Sequence, residues 1–224
     1  MTNELSTNTR DRLVSVAKAA AGGLPLVGNL ISEALDTIVP ELRFDRAVKF
    51  LTELDARVQE IEGKIEFEKN LSTEVGLDLL EEGIIQASRS VSEERKERLA
   101  RLVAQSLSQE DLRYEESRKL LNIYRELTDP EVVWLIYYSL NPVLGGGMHN
   151  NWFMKHEEIL SPVRQVMGLP QEEYNRGALQ ESYKNTLLQL GLTEQKGSST
   201  SITTLGRMLV SYIHGEEIKN EDQS

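Results

Sequence analysis

His149 and His156 lie seven residues apart, beside Glu157 and Glu158, and by residue type this is the group best suited to holding a metal ion. Imidazole nitrogens and carboxylate oxygens are ordinary zinc ligands. The helical metalloprotease arrangement, however, spaces its histidines by four with a glutamate between, so that both imidazoles and a general base share one helix face. The spacing here does not give that arrangement, and the group reads as a polar surface loop. Just before it, Gly145, Gly146 and Gly147 are followed by no Lys-Ser/Thr, so they do not form a phosphate-binding loop. His214 falls at the end of the last helical pattern, where the helix dipole favours a cation and no further role is needed. No nucleophile elbow, dinucleotide fingerprint or acid pair with a matching histidine occurs. The chain has no cysteine, which excludes thiolate catalysis, disulfides and cysteine-based zinc sites. The expectation is a protein that is not an enzyme, with no catalytic, cofactor-binding or metal residues and no cofactor.

The elements that position these residues belong to a globular chain of 224 residues with a net charge of −11. No third of it is basic. Non-specific nucleic-acid binding draws most of its affinity from neutralised phosphates, so nucleic acid is a disfavoured partner. The first residues carry acids and lack a basic segment followed by an apolar run, unlike a secretory signal, and no run reaches the roughly 18 apolar residues of a spanning helix. These features suit a cytoplasmic protein.

Periodicity predicts a mainly α fold: a helical bundle or hairpin domain at 11–128, then a winged-helix-like domain with one small β-hairpin at 129–214. A flexible stretch at 1–10 and a disordered tail at 215–224 flank them. Ala47, Leu51, Leu54, Val58, Ile61 and Ile65 alternate spacings of four and three, predicting one long amphipathic helix over 41–67. Further helices are expected near 73–88 (burying Val75, Leu79, Leu80, Ile84 and Ile85), near 93–107, and after a cap at Ser108 and Asp111. Thr128-Asp129-Pro130 restarts the chain, with Asp129 as cap and Pro130 in the first turn. Residues 132–140, VVWLIYYSL, are apolar nearly all round, as befits a helix at the centre of a core. Residues 141–161 read as the longest irregular stretch. Within it Trp152, Phe153 and Met154 offer either a mobile apolar contact for a partner or a lid folded onto its own domain.

Residues 185–213, NTLLQLGLTEQKGSSTSITTLGRMLVSYI, carry an ordered signature. A helix ends with Leu188 and Leu190 buried and Gly191 as a left-handed stop. Strands at 192–195 and 201–203 flank a turn at 196–199, and Thr204 caps a last helix. Helix, hairpin, helix at these lengths resembles the end of a winged-helix domain. In a DNA-binding version the helix before the hairpin enters the major groove. Here Tyr183, Lys184, Asn185 and Lys196 would make the contacts, and a DNA-binding transcriptional regulator is one alternative function.

Three blocks carry a wider likeness: LLEEGIIQASRSVSEERKERLARLVAQSLS (79–108), LLNIYRELTDPEVVWLIYY (120–138), and NTLLQLGLT with ITTLGRMLVSYI (185–213). Together they resemble the Abi-alpha family of bacterial proteins associated with abortive infection. The likeness spans about a third of the chain in leucine-rich motifs. It implies a prokaryotic helical protein connected with phage exclusion, and no catalytic residues.

The segment KAAAGGLPLVGNLISEAL (18–35) leaves a further alternative. Its small residues allow close helix approach, either against the helix at 41–67 or in lipid. In the second case Leu24, Leu26, Val27, Leu30 and Ile31 would make the membrane or partner contact, while Glu33 and Asp36 oppose insertion. The expectation is an interaction protein of anti-phage defence that acts through a protein partner or as a homo-oligomer. A conditional, pore-forming-like membrane action through 13–39 remains its competitor, with membrane association on activation.

Overall fold

A computed structural model describes residues 43–61, 63–140, 147–163, 170–197 and 199–214. It is mainly helical with one small antiparallel hairpin. The contacts divide the chain into two compact units at Asn122/Ile123. The residues of the 13–39 segment, including Leu24, Leu26, Val27, Leu30 and Ile31, lie outside the described residues.

The first unit contains α1 (Phe44–Glu60), α2 (Lys64–Leu71), α3 (Glu74–Arg89) and α4 (Glu93–Leu107), and α5 (Tyr114–Glu126) begins in it. Each of α1, α3 and α4 carries its apolar residues on one side, so each must bury that side against the others. They do so mutually: α1 packs on α3 and α4, and α3 packs on α4. Phe50, Leu79, Ile84, Leu99, Leu102 and Leu107 are fully enclosed.

The seam predicted over 41–67 is correct only as far as Val58. Ala47, Leu51, Leu54 and Val58 are buried, but the helix stops at Glu60 and Ile61 turns extended. After the break Ile65 is 77% exposed, and Phe67 is buried instead. The physical reason lies at Gly63. Its backbone runs against Ser108, and a Cβ there would collide with the Ser108 carbonyl oxygen. The chain therefore leaves the helical path and re-enters it in a different rotational phase. Two neighbouring expectations also change. Ser108 closes α4, its Oγ donating to the Ala104 carbonyl at 2.7 Å, rather than opening α5. Val75 is 40% exposed. Asn70, buried on α2, donates through Nδ2 to the carbonyls of Leu107 and Gln109, both at 2.8 Å, and so ties down the end of α4.

The second unit contains α6 (Asp129–Ser139), α7 (Met148–Lys155), α8 (Glu157–Leu160), α9 (Gln171–Gln189), β1 (Thr193–Lys196), β2 (Ser199–Ile202) and α10 (Thr204–His214). Thr128, not Asp129, is the cap of α6. The Thr128 backbone N–H and Oγ both donate to Glu131 Oε2, at 2.6 and 2.8 Å, which closes the first turn. α6 is apolar on all sides, and α7, α8, α9, α10 and β2 pack around it. β1 and β2 pair antiparallel with Thr193 opposite Ile202 and Lys196 opposite Ser199. The stretch expected to be irregular is helical over Met148–Lys155 and Glu157–Leu160.

Candidate functional site

The side chains singled out from sequence gather mainly in the second unit, and the geometry gives them specific neighbours. His149 and His156 do not converge on a shared point: His149 stacks on Tyr137 with ring centroids 4.4 Å apart, and His156 lies 4.3 Å from the Trp152 ring. His214 meets the same indole edge-on at 5.4 Å. Glu157 and Glu158 sit in the first turn of α8, exposed. Among the described residues no group of three or more acids and histidines is arranged to hold a metal ion.

Trp152 resolves the choice between a mobile contact and a lid. It is buried, and its indole N–H donates to the Val133 carbonyl at 3.1 Å, which ties α7 to the N-terminal half of the central helix. Met154, on the opposite side of α7, is 74% exposed. Trp134 is buried on α6 among Tyr137 and Tyr138. The Tyr138 hydroxyl titrates above its ordinary range because burial disfavours the phenolate, an effect opposed by a hydrogen bond with Thr200.

Both lysines that would touch nucleic acid have acidic neighbours. The Lys184 ammonium lies 5.0 Å over the Trp134 ring and bonds to Glu181 Oε1 at 2.9 Å. Lys196 is paired with Glu194 at 2.7 Å, and Arg176 with Glu173 at 3.0 Å. Tyr183 is half-buried, and Asn185 is exposed. Each of these cations has a glutamate beside it, which lowers the positive potential that a phosphate would meet.

α9 is held by a residue the sequence reading passed over. Gln180 is buried, and its Nε2 donates to the carbonyls of Ile159 and Ser161, both at 2.8 Å. With Gly177 and Leu187 it defines the inward face of α9. Leu188, expected in the core, is 45% exposed, because the phase set by Gln180 and Leu187 turns it outward. Tyr174 and Leu179 are 64% and 53% exposed on the same helix. The signal available in sequence was a glutamine at helical spacing from Gly177 and Leu187, but an amide is normally assigned to solvent.

The closing motif acquires a mechanism. Gly191 ends the helix segment at φ 69° as expected. Thr203, rather than Thr204, caps α10: its Oγ accepts from the Gly206 N–H at 3.0 Å and donates to the Gly191 carbonyl at 2.7 Å. A Cβ on Gly206 would overlap the Leu192 carbonyl oxygen, so Thr-x-x-Gly fixes how the last helix lies against the hairpin entry.

In the first unit a group of ionisable residues joins α3 to α5. Arg118 pairs with Asp78 at 3.3 Å and with Glu82 at 3.2 Å, and Gln86 donates to the Leu121 carbonyl at 3.0 Å. The Tyr114 hydroxyl donates to Asp78 Oδ2 at 2.9 Å, and that bond raises its pKa. Asp78, Glu82 and Gln86 recur every four residues, so the three form a clamp along one helix face.

No protein-family model, curated protein or solved structure matches the chain. No helix among the described residues is long and apolar enough to cross a membrane.

Proposed function

We propose that this protein works by contacting other protein chains, with the helix–hairpin–helix unit as the contact module, and that it serves bacterial anti-phage defence in the manner the Abi-alpha resemblance implies. The observation that supports the contact role is the outward side of α9. There Tyr174 and Leu188, about 40° apart around the helix, are exposed on one helix whose inward face is anchored by Gln180. Large apolar side chains on a rigid, buried-anchored helix suit protein recognition, and aromatic residues are enriched at such contacts.

The DNA-regulator alternative is weaker, because Lys184 and Lys196 already carry glutamate partners. The resident protein is tested by plaque assays on bacteria expressing the wild type or a Tyr174→Asp/Leu188→Asp variant of unchanged helicity. Protection lost in the variant supports the reading. Equal protection, or none with wild type across a phage panel, removes it. A gel-shift series with duplex DNA at low salt addresses the alternative; a salt-dependent shift would revive it. Flotation with liposomes of wild type and Leu30→Asp addresses membrane contact by 13–39.

A further inference from the structure

The outward side of α9 carries a pattern with two-fold symmetry. Gln171, Asn175, Ala178, Ser182, Asn185 and Gln189 are all exposed, at alternating spacings of four and three. On a helix of 3.6 residues per turn they fall within an arc of about 80°. Read in either direction the order is the same: glutamine, asparagine, small, small, asparagine, glutamine. The spacings are palindromic as well, about the level of Gln180.

From this we propose that α9 pairs with α9 of a second copy of this chain, antiparallel, across a two-fold axis that meets the stripe at the level of Gln180, on the side of the helix opposite to it. This deepens the contact role proposed above and rests on it. The pairing sets Gln171 opposite the partner's Gln189, Asn175 opposite the partner's Asn185, and Ala178 opposite the partner's Ser182. A carboxamide is both donor and acceptor, so amide against amide is self-complementary, as a two-fold interface demands. Ala178 and Ser182 at the crossing let the helices approach closely, since interaxial distance follows side-chain size. The same operation brings Tyr174 beside the partner's Leu188 at each end, which covers two of the exposed apolar side chains on this helix.

Charge selects the occupant. The chain carries −11, so two copies repel over most of their surfaces. The six stripe residues are uncharged. The acid nearest the crossing, Glu181, brings its own cation, Lys184, at 2.9 Å. A basic partner has no acidic stripe to bind here, whereas a second copy finds an uncharged one.

The test uses the full chain in sedimentation equilibrium over a concentration series. The expected result is a reversible dimer whose dissociation constant rises at least tenfold in Ser182→Lys and in Ala178→Lys, with unchanged far-UV circular dichroism. Because the chain has no cysteine, Ala178→Cys and Ser182→Cys can be mixed under oxidation; the mixture should cross-link faster than either variant alone. A monomer at every concentration overturns the pairing, as does a dimer insensitive to both lysine variants. So does a monomer whose duplex-DNA binding is lost in Ser182→Lys, which would assign the amides to base edges. If phage protection is lost with Tyr174→Asp/Leu188→Asp while the wild type is monomeric, the self-pairing falls and the contact function stands.

Discussion

In the unit before Asn122, three helices each bury one side against the other two, and the enclosed residues are chiefly Leu, Ile, Val and Phe. In the unit after Ile123, one helix is apolar all round and the rest surround it. Both units use a buried carboxamide for the same task. Asn70 donates to two carbonyls at the end of α4, and Gln180 donates to two at the end of α8. They differ in what tells each helix which way to face. A one-sided helix is oriented by its own apolar stripe. Around α6, α10 keeps an apolar face of its own, but α7 and α9 have little stripe to match, and hydrogen bonds to backbone orient them: Trp152 to Val133, and Gln180 to Ile159 and Ser161. Such bonds are directional where apolar burial is not.

The largest effect should come from the aliphatic core of the first unit. Leu102→Ala is expected to cost about 2–5 kcal/mol, the range for truncating an enclosed leucine, read from urea unfolding by circular dichroism. A cost under about 1 kcal/mol would mean that the three helices are not mutually close-packed. Next, Gly206→Ala places a methyl group against the Leu192 carbonyl and should cost about 1–3 kcal/mol. Both tryptophans lie in the second unit, so fluorescence reports its unfolding directly. Trp152→Phe keeps one aromatic ring but removes the indole N–H that bonds Val133, for an expected loss of at least about 1 kcal/mol. If it proves neutral, polar tethers do not orient that unit and the contrast collapses.

A pH effect sharpens the comparison from the other side. Glu93 sits between Lys49 and the buried Lys96, bonded to Lys49 and, at 2.6 Å, to Lys96. The bonds from Lys49 and then Lys96 hold its carboxyl below the usual range, and the bond from Glu93 raises Lys49. A depressed folded pKa gives Glu93 a contribution that is complete above its unfolded value and lost as pH falls through the folded one. The Lys49 contribution is complete below its unfolded value and lost as pH rises through the raised one. Glu93→Gln should therefore flatten the acid limb of melting temperature against pH, and should leave tryptophan emission at neutral pH unchanged. An acid limb identical to wild type would count against the lysine–glutamate–lysine link. The smallest effect is expected at Ile65→Gln, within about 0.5 kcal/mol of wild type, because the side chain is in water. A loss of about 2 kcal/mol or more would restore the continuous seam.

Ala47, Leu51, Leu54 and Val58 show how far periodicity carries: a stripe specifies a helix and its buried side without knowledge of the neighbour. Ile65 shows its limit. The same spacing continued, yet the close passage of Gly63 against Ser108, 45 residues away, shifted the phase. At the candidate site the order of helix, hairpin and helix was legible, as was the stop at Gly191. The caps fall one residue earlier than spacing suggests, at Thr128 and Thr203 in place of Asp129 and Thr204, because neighbouring polar residues are equivalent until a partner selects one: the Glu131 carboxylate at Thr128 and the Gly206 N–H at Thr203. Leu188 was assigned inward because leucine prefers burial, while Gln180 took that place by satisfying two carbonyls.

Residue order alone therefore determined the helical class, the hairpin between the last two helices, the acidic surface and the lack of thiol chemistry, since each depends on local spacing or on composition. Tertiary structure decided where the first long helix breaks, which side of α9 meets solvent, and that Lys184 lies over the Trp134 ring. Those outcomes depend on which backbone groups and charges distant segments bring within hydrogen-bonding reach, and spacing along the chain does not encode that reach.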